Sequence, residues 1–181
     1  MKPLKKEFFE RGAETVAKDL LGKLLKFKGC SGIIVETEAY AADGASHAAK
    51  RTKRSIPLFD TWGVTYVYLN YGMYHLVNFT CDKHGPGAVL IRAVEPVNGI
   101  TLMKRRRKTD KVEQLCNGPG KLCQAFGIDK RHHNKEVGDG INVYDVGNKV
   151  EIGKSKRIGI SFAKDIEWRF FIKGNKFVSK G

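Results

Sequence analysis

Two glutamates, Glu36 and Glu38, stand two residues apart in Gly32-Ile33-Ile34-Val35-Glu36-Thr37-Glu38-Ala39-Tyr40, a run otherwise dense in apolar and β-branched residues. Alternation along a strand puts Ile33, Val35 and Thr37 on one face and Ile34, Glu36, Glu38 and Tyr40 on the other. A carboxylate on an apolar strand costs free energy unless it is paired or put to use. The plain reading is that both glutamates face solvent on a half-exposed sheet; the other is that they face the core and are paired or put to use. Arg92 shifts the balance toward the second, because it lies in the equally apolar run Ala88-Val89-Leu90-Ile91-Arg92-Ala93-Val94. A guanidinium there needs a carboxylate partner, and an Arg–Glu pair across neighbouring strands satisfies both.

Tyrosines are concentrated as well: Tyr66, Tyr68, Tyr71 and Tyr74 fall within nine residues. At period-two spacing, Tyr66 and Tyr74 read as cross-strand packing. Tyr71 falls in Asn70-Tyr71-Gly72-Met73 between two β-rich stretches, at the expected tip of a hairpin, where there is little core to pack against. In a basic protein it has the character of side chains that wedge between base steps. Tyr40 and Tyr68 offer faces on which an extruded base could stack. His132 and His133, consecutive in a polar loop, read as solvated; His75 and His84 have no motif around them; His47, in Gly44-Ala45-Ser46-His47-Ala48, is ambiguous by itself. No HExxH, His-x-His or Asp-rich pattern is present, so neither a metal nor any other cofactor is expected. Cys30, Cys81, Cys116 and Cys123 lack CxxC spacing and sit in apolar stretches, as buried reduced thiols do.

The 33 basic residues outnumber 19 acidic ones and leave a formal charge of +14, the footprint of a polyanion binder. With 181 residues, 41% hydrophobic, the chain has the length and composition of one folded domain spanning residues 1–181. Its apolar runs are too short to cross a bilayer, and Met1-Lys2-Pro3-Leu4-Lys5-Lys6 does not open a signal peptide, so an intracellular protein, in the cytoplasm and nucleoid or a nucleus, is expected.

The elements that must hold these residues follow from periodicity. Val16, Leu20, Leu21, Leu24 and Leu25 predict a helix over residues 13–27. Strands are expected at 32–40 and 88–94 and a hairpin over 64–80, with Pro96 opening a helix through 102–107 and Pro119 opening one that ends at Gly127. The last third predicts a hairpin over 142–152 turning near Gly147-Asn148, then strands at 157–162 and 168–172. Strands arranged in local hairpins predict an α+β fold built on a mainly antiparallel, curved sheet with flanking helices.

Taken together, Ile33-Ile34-Val35-Glu36-Thr37-Glu38-Ala39-Tyr40, Ala45-Ser46-His47, Tyr66-Val67-Tyr68-Leu69-Asn70-Tyr71-Gly72-Met73-Tyr74, Val89-Leu90-Ile91-Arg92-Ala93-Val94-Glu95-Pro96 and Gly118-Pro119-Gly120-Lys121-Leu122 resemble, in order, the alkyladenine (3-methyladenine) DNA glycosylase family. The likeness extends to the closing Trp168-Arg169-Phe170-Phe171-Ile172. It implies a monofunctional base-excision-repair enzyme, expected as a monomer, that takes double-stranded DNA containing damaged purines, flips the lesion out and hydrolyses its N-glycosidic bond. By position it implies Glu38 as general base, Arg92 and His47 as groups that hold the attacking water, and Tyr40, His47 and Tyr68 as the stacking pocket. It further implies Asn78 as the residue that clashes with the exocyclic amine of guanine, and Tyr71 as the filler of the gap in the duplex. The likeness is weakest at 50–60, Lys-Arg-Thr-Lys-Arg-Ser-Ile-Pro-Leu-Phe-Asp, where the family's usual Asn and Met are replaced. Two readings from other classes compete: a non-catalytic nucleic-acid binding module, and a nuclease using Glu36 and Glu38 as metal ligands.

Overall fold

The glutamate-bearing run forms a long, mostly buried strand. In the computed structural model, which describes residues 1–180, β3 (Cys30–Tyr40) lies near the middle of a nine-stranded sheet in which every pairing is antiparallel. The other strands are β1 (Lys2–Pro3), β2 (Leu24–Phe27), β4 (Thr65–Asn70), β5 (Tyr74–Cys81), β6 (Gly87–Asn98), β7 (Asn142–Asp145), β8 (Ile152–Ser155) and β9 (Arg169–Ile172). The helices are α1 (Ala13–Leu20), α2 (Ile56–Asp60), α3 (Ile100–Arg107) and α4 (Pro119–Phe126). The sheet runs β1-β7-β2-β3-β6-β5-β4, and β9 takes over the β2 side of β3 at Glu36, carrying β8 with it. The fold is the expected α+β class.

One face of this sheet is covered by α1, α3 and α4. Val16, Ala17, Leu20, Met103, Leu122 and Phe126 join Ile34, Val77, Phe79, Val89, Ile91 and Val94 in a single core cluster. At about 25 cal/mol per Å² of apolar surface removed from water, this layer is the main source of stability. It also makes the sheet a rigid platform whose other face can be given to chemistry.

That other face is created by a pair of bulges. Ile34 pairs with Val94, Glu36 with Ala93 and Thr37 with Ile91, so Val35 is an extra residue on β3 and Arg92 an extra one on β6. The two insertions cancel in register, yet each switches the pleat of its own strand. Ile34 and Thr37 therefore both face the helices: Ile34 is in the main core, and Thr37 Oγ1 donates to the Ala17 carbonyl at 2.8 Å. Val35 and Ala93 open to the opposite side, where they pack with Phe177. Simple alternation, which grouped Ile34 with Glu36 and Val35 with Thr37, fails at this point because it has no extra residue in it.

Other expectations are corrected too. The helix over 13–27 stops at Leu20; Gly22 takes φ +79° and Leu24–Phe27 becomes β2, turning through Lys28 and Gly29, both at positive φ, into β3. Leucines at 20, 21, 24 and 25 fit either period, and the open edge of β3 decides for the strand. Pro96 lies inside β6 rather than opening a helix, and α3 starts at Ile100 instead, with Gly99 as its N-cap. It is tolerated because the register shift at Ser31/Gly32 falls beside it and β5 has already ended. The hairpin over 142–152 does not form: β7 pairs with β1 and β2, whereas β8 pairs with β9. Residues 157–162 are an irregular strap, not a strand. His132 and His133 are half-buried rather than solvated: His132 packs edge-on against Phe27 at 4.8 Å, and His133 Nδ1 accepts from the Val67 N–H at 3.2 Å. All four cysteines are free and buried.

Candidate active site

The side chains that the family resemblance implies for the site stand on or beneath one cleft of about 690 Å³ on the face away from the main helical layer. Its walls include Tyr40, His47, Tyr66, Tyr68, Tyr71, Asn78 and Arg92. The loop of Gly44 to Ser46, the first turn of α4 and the strap around Ile158 close the rim.

Glu38 lies under this cleft with its side chain wholly inaccessible. One oxygen, Oε1, accepts from the Ile158 N–H at 2.7 Å; the other, Oε2, accepts from Tyr40 Oη at 2.8 Å and faces Arg92 Nη1 at 3.3 Å. Burial disfavours its charged form and pushes its pKa above the ordinary carboxylate value, against the opposing pull of Arg92 and the Ile158 and Tyr40 donors. A carboxylate so placed is a better proton acceptor than one in water. Arg92 is itself buried, which works against its charge, but the Glu38 and Glu36 carboxylates outweigh burial and raise its pKa.

Glu36 is bound differently. Oε1 accepts from Arg92 Nε at 2.9 Å, Arg169 Nε at 2.7 Å and Ser179 Oγ at 2.8 Å, while Oε2 accepts from the Ser179 N–H at 2.7 Å. Four protein donors hold it, three of them on Oε1. Among the described residues there is no cluster of three metal-ligating side chains.

The aromatic walls are locked by their neighbours. Tyr66, Tyr68 and His47 pack together, with ring centroids 5.6 Å apart for Tyr66 and Tyr68 and 4.8 Å for His47 and Tyr68. His47 Nδ1 lies 3.0 Å from the Tyr66 hydroxyl, and burial together with Arg54 lowers the His47 pKa, favouring a neutral ring. The Tyr68 phenol is pushed up to about 12, chiefly by burial. Asn78 donates Nδ2 to the Tyr66 carbonyl at 3.0 Å, which fixes its amide toward the pocket floor. Tyr71 is 77% exposed at the tip of the β4–β5 hairpin, where Met73 N–H bonds to the Asn70 carbonyl and both Tyr71 and Gly72 have positive φ. That is a type I′ turn, whose twist matches the flanking strands. The hairpin is braced from below by α4, which comes so close at Gly120 that a Cβ there would lie 3.0 Å from Tyr74 and push that side chain aside.

The strap supplies what sequence reading missed. Arg157 is buried behind Tyr40, its guanidinium 4.8 Å from the ring centroid, and pairs with Asp43 at 3.0 Å while donating to the Ala39 carbonyl. No periodic signal marks a lone arginine in an irregular segment, and a backbone N–H donor such as that of Ile158 has no sequence signal at all. At 50–60, Ser55 is buried and ties the loop inward, its hydroxyl donating to the Lys50 carbonyl at 2.7 Å and accepting from the Thr52 N–H at 2.8 Å. Ser55 therefore holds the loop in place.

A buried carboxylate under an aromatic cleft in a basic protein fits more than one hydrolase. The comparisons decide between them. A family model described as methylpurine-DNA glycosylase (MPG) matches residues 7–176. The chain belongs to the methylpurine-DNA glycosylase family. Among relatives of the glycosylase, proteins named "Putative 3-methyladenine DNA glycosylase" are 43% identical in Nitrobacter winogradskyi, covering 99% of this chain and 88% of that protein, and 47% identical in Rhizobium etli, covering 96% and 87%. One from Clostridium botulinum is 43% identical and covered 98% in both directions. The glycosylase is thus a hydrolytic DNA-repair enzyme of base excision, and the reading as a non-catalytic binding module falls away. No helix among the described residues is long and apolar enough to cross a membrane.

Proposed function

We propose that this glycosylase extrudes alkylated or deaminated purines, 3-methyladenine, 7-methylguanine, hypoxanthine and ethenoadenine, from duplex DNA and hydrolyses the N-glycosidic bond with a water activated by Glu38. The observation that carries the reading is Glu38 itself: a carboxylate of raised proton affinity, inaccessible beneath an aromatic cleft and touched by a single guanidinium.

In this reading the damaged base stacks among Tyr40, His47 and Tyr68, for about 1 to 3 kcal/mol per aromatic face. Its sugar C1′ then lies over Glu38. The water gives a proton to the carboxylate as its oxygen bonds to C1′, and the C1′–N bond breaks with both electrons leaving on the purine. Arg92 and His47 position the water, and the Glu38 charge supports the oxocarbenium-like centre. Alkylated purines are already good leaving groups, so a positioned water and a carboxylate carry most of the barrier. Asn78, held by Tyr66, tests the purine edge where guanine carries its exocyclic amine. Tyr71 enters the stack in place of the extruded nucleotide, offsetting part of the few kcal/mol lost on unstacking. The +14 charge draws the protein to the phosphates. Monomeric action on double-stranded DNA inside the cell belongs to the same reading.

The direct test is incubation with duplexes that each carry one ethenoadenine, hypoxanthine or 7-methylguanine, followed by alkali to cleave abasic sites. Strand breaks only at the lesion are expected. Cleavage without alkali, or none at any lesion, would overturn the assignment.

A further inference from the structure

Glu36 is a fully buried carboxylate for which the proposed chemistry has no use, yet it carries the densest set of donors in the molecule. Four elements converge on it: Arg92 from β6, Arg169 from β9, its own strand β3, and Ser179 from the segment that follows β9. That segment is seated by Phe177, which packs on Val35 and Ala93. Those two residues reach this side of the sheet only because of the paired bulges. Ser179 also accepts from Arg92 Nη2 at 3.4 Å, and its carbonyl accepts from Arg169 Nη2 at 3.3 Å.

The consequence is a fixed guanidinium. Arginine has a long side chain with several free torsions, and nothing in the Arg92–Glu38 contact alone selects one of its rotamers. With Nε held at 2.9 Å by Glu36 and Nη2 by Ser179, the remaining terminus, Nη1, is the one turned to Glu38 at 3.3 Å. Arg169 supplies a second positive charge against Glu36, so that Glu36 does not take the whole of the Arg92 charge from Glu38.

We infer that Glu36 and Ser179 are positioning residues for the reaction: a clasp, closed by the segment after β9, that aims Arg92 at Glu38 and at the water beside it. This rests on the reading of Glu38 and Arg92 given above. The clasp touches neither the base nor the phosphates, so its loss acts on the chemical step and spares DNA binding.

The test uses the full chain with Ser179→Ala, Ser179→Thr, Glu36→Gln and, as a control on the site itself, Arg92→Gln. Single-turnover excision is measured on a duplex with one ethenoadenine, and affinity on a duplex with a non-cleavable abasic analogue. Ser179→Ala should slow excision roughly tenfold, with affinity within about twofold of the parent, as expected when the hydroxyl's two charge-assisted hydrogen bonds, to Glu36 and from Arg92, are lost and Arg92 is held less firmly in the transition state. Ser179→Thr, which keeps the hydroxyl, should restore the rate, and Glu36→Gln should be slower than Ser179→Ala. If Glu36→Gln does not fold, the Ala and Thr pair at 179 still decides. Parental rates in folded Ser179→Ala, or rate and affinity falling together without rescue by Thr, would overturn the clasp. Parental excision by Arg92→Gln would overturn instead the reading on which it rests.

Discussion

Glu36 and Glu38 divide one guanidinium between them: Arg92 gives Nε to Glu36 at 2.9 Å and turns Nη1 to Glu38 at 3.3 Å. The two carboxylates are equally buried and differ in what else they touch. Glu36 accepts four hydrogen bonds, from Arg92, Arg169 and both the hydroxyl and the N–H of Ser179, whereas Glu38 accepts from the Ile158 N–H and Tyr40 Oη and faces Arg92. Chemically similar residues two apart thus have different surroundings.

Glu38→Gln should stop base release while leaving affinity for lesion DNA largely intact, because the amide keeps the size of the side chain and removes the proton acceptor. A loss on the order of 10² to 10⁴-fold in single-turnover rate is expected for a general base. Glu36→Gln should be milder, since it loosens Arg92 without removing the base. Equal losses from both would point to a carboxylate pair acting together.

The pH dependence follows from the direction of the Glu38 shift. A base works when deprotonated, so excision should fall as pH drops through its pKa, and burial places that fall above the ordinary carboxylate range near 4.5. The rate on a 7-methylguanine duplex, whose leaving group needs no added proton, isolates this limb. A rate that is flat down to the pH at which a free glutamate titrates would mean that Glu38 is not the group observed.

Tyr71→Ser should reduce extrusion and excision in duplex DNA without lowering the melting temperature, because a tip residue that is 77% exposed supports little core. Ethenoadenine brightens on leaving its neighbours, so its fluorescence reads the extruded fraction directly. A variant that flips and excises like the parent shows that Tyr71 is no wedge.

Binding should weaken steeply with salt, since each phosphate neutralised releases counterions and a site with six to ten contacts loses roughly 10³ to 10⁵ in affinity between 50 and 200 mM. Excision should persist in EDTA, because the proposed water activation by Glu38 uses no metal and Glu36 is already held by four protein donors. Abolition of activity by the chelator, restored by a divalent cation, would revive the metal reading.

Much of this protein was legible in its residues because the signals are local. Period-two runs marked β3, the start of β6 and the β4–β5 hairpin; Asn-Tyr-Gly at the tip marked a tight turn; Pro119 and Gly127 bracketed α4; an arginine and two glutamates in apolar strands marked a buried ion pair. Tertiary structure decided what depends on neighbours distant in sequence. Whether Leu24 and Leu25 continue a helix or start a strand rests on the open edge of β3, and whether residues 142–145 pair with residues 152–155 rests on which edges β2 and β9 leave free. The division of labour between Glu36 and Glu38 is of the same kind. An alternating pattern cannot show that Val35 and Arg92 are extra residues, because a bulge is a property of two strands in register and not of either strand alone. Nor can it show that Ser179, 143 residues away, brings two of the four donors that hold Glu36.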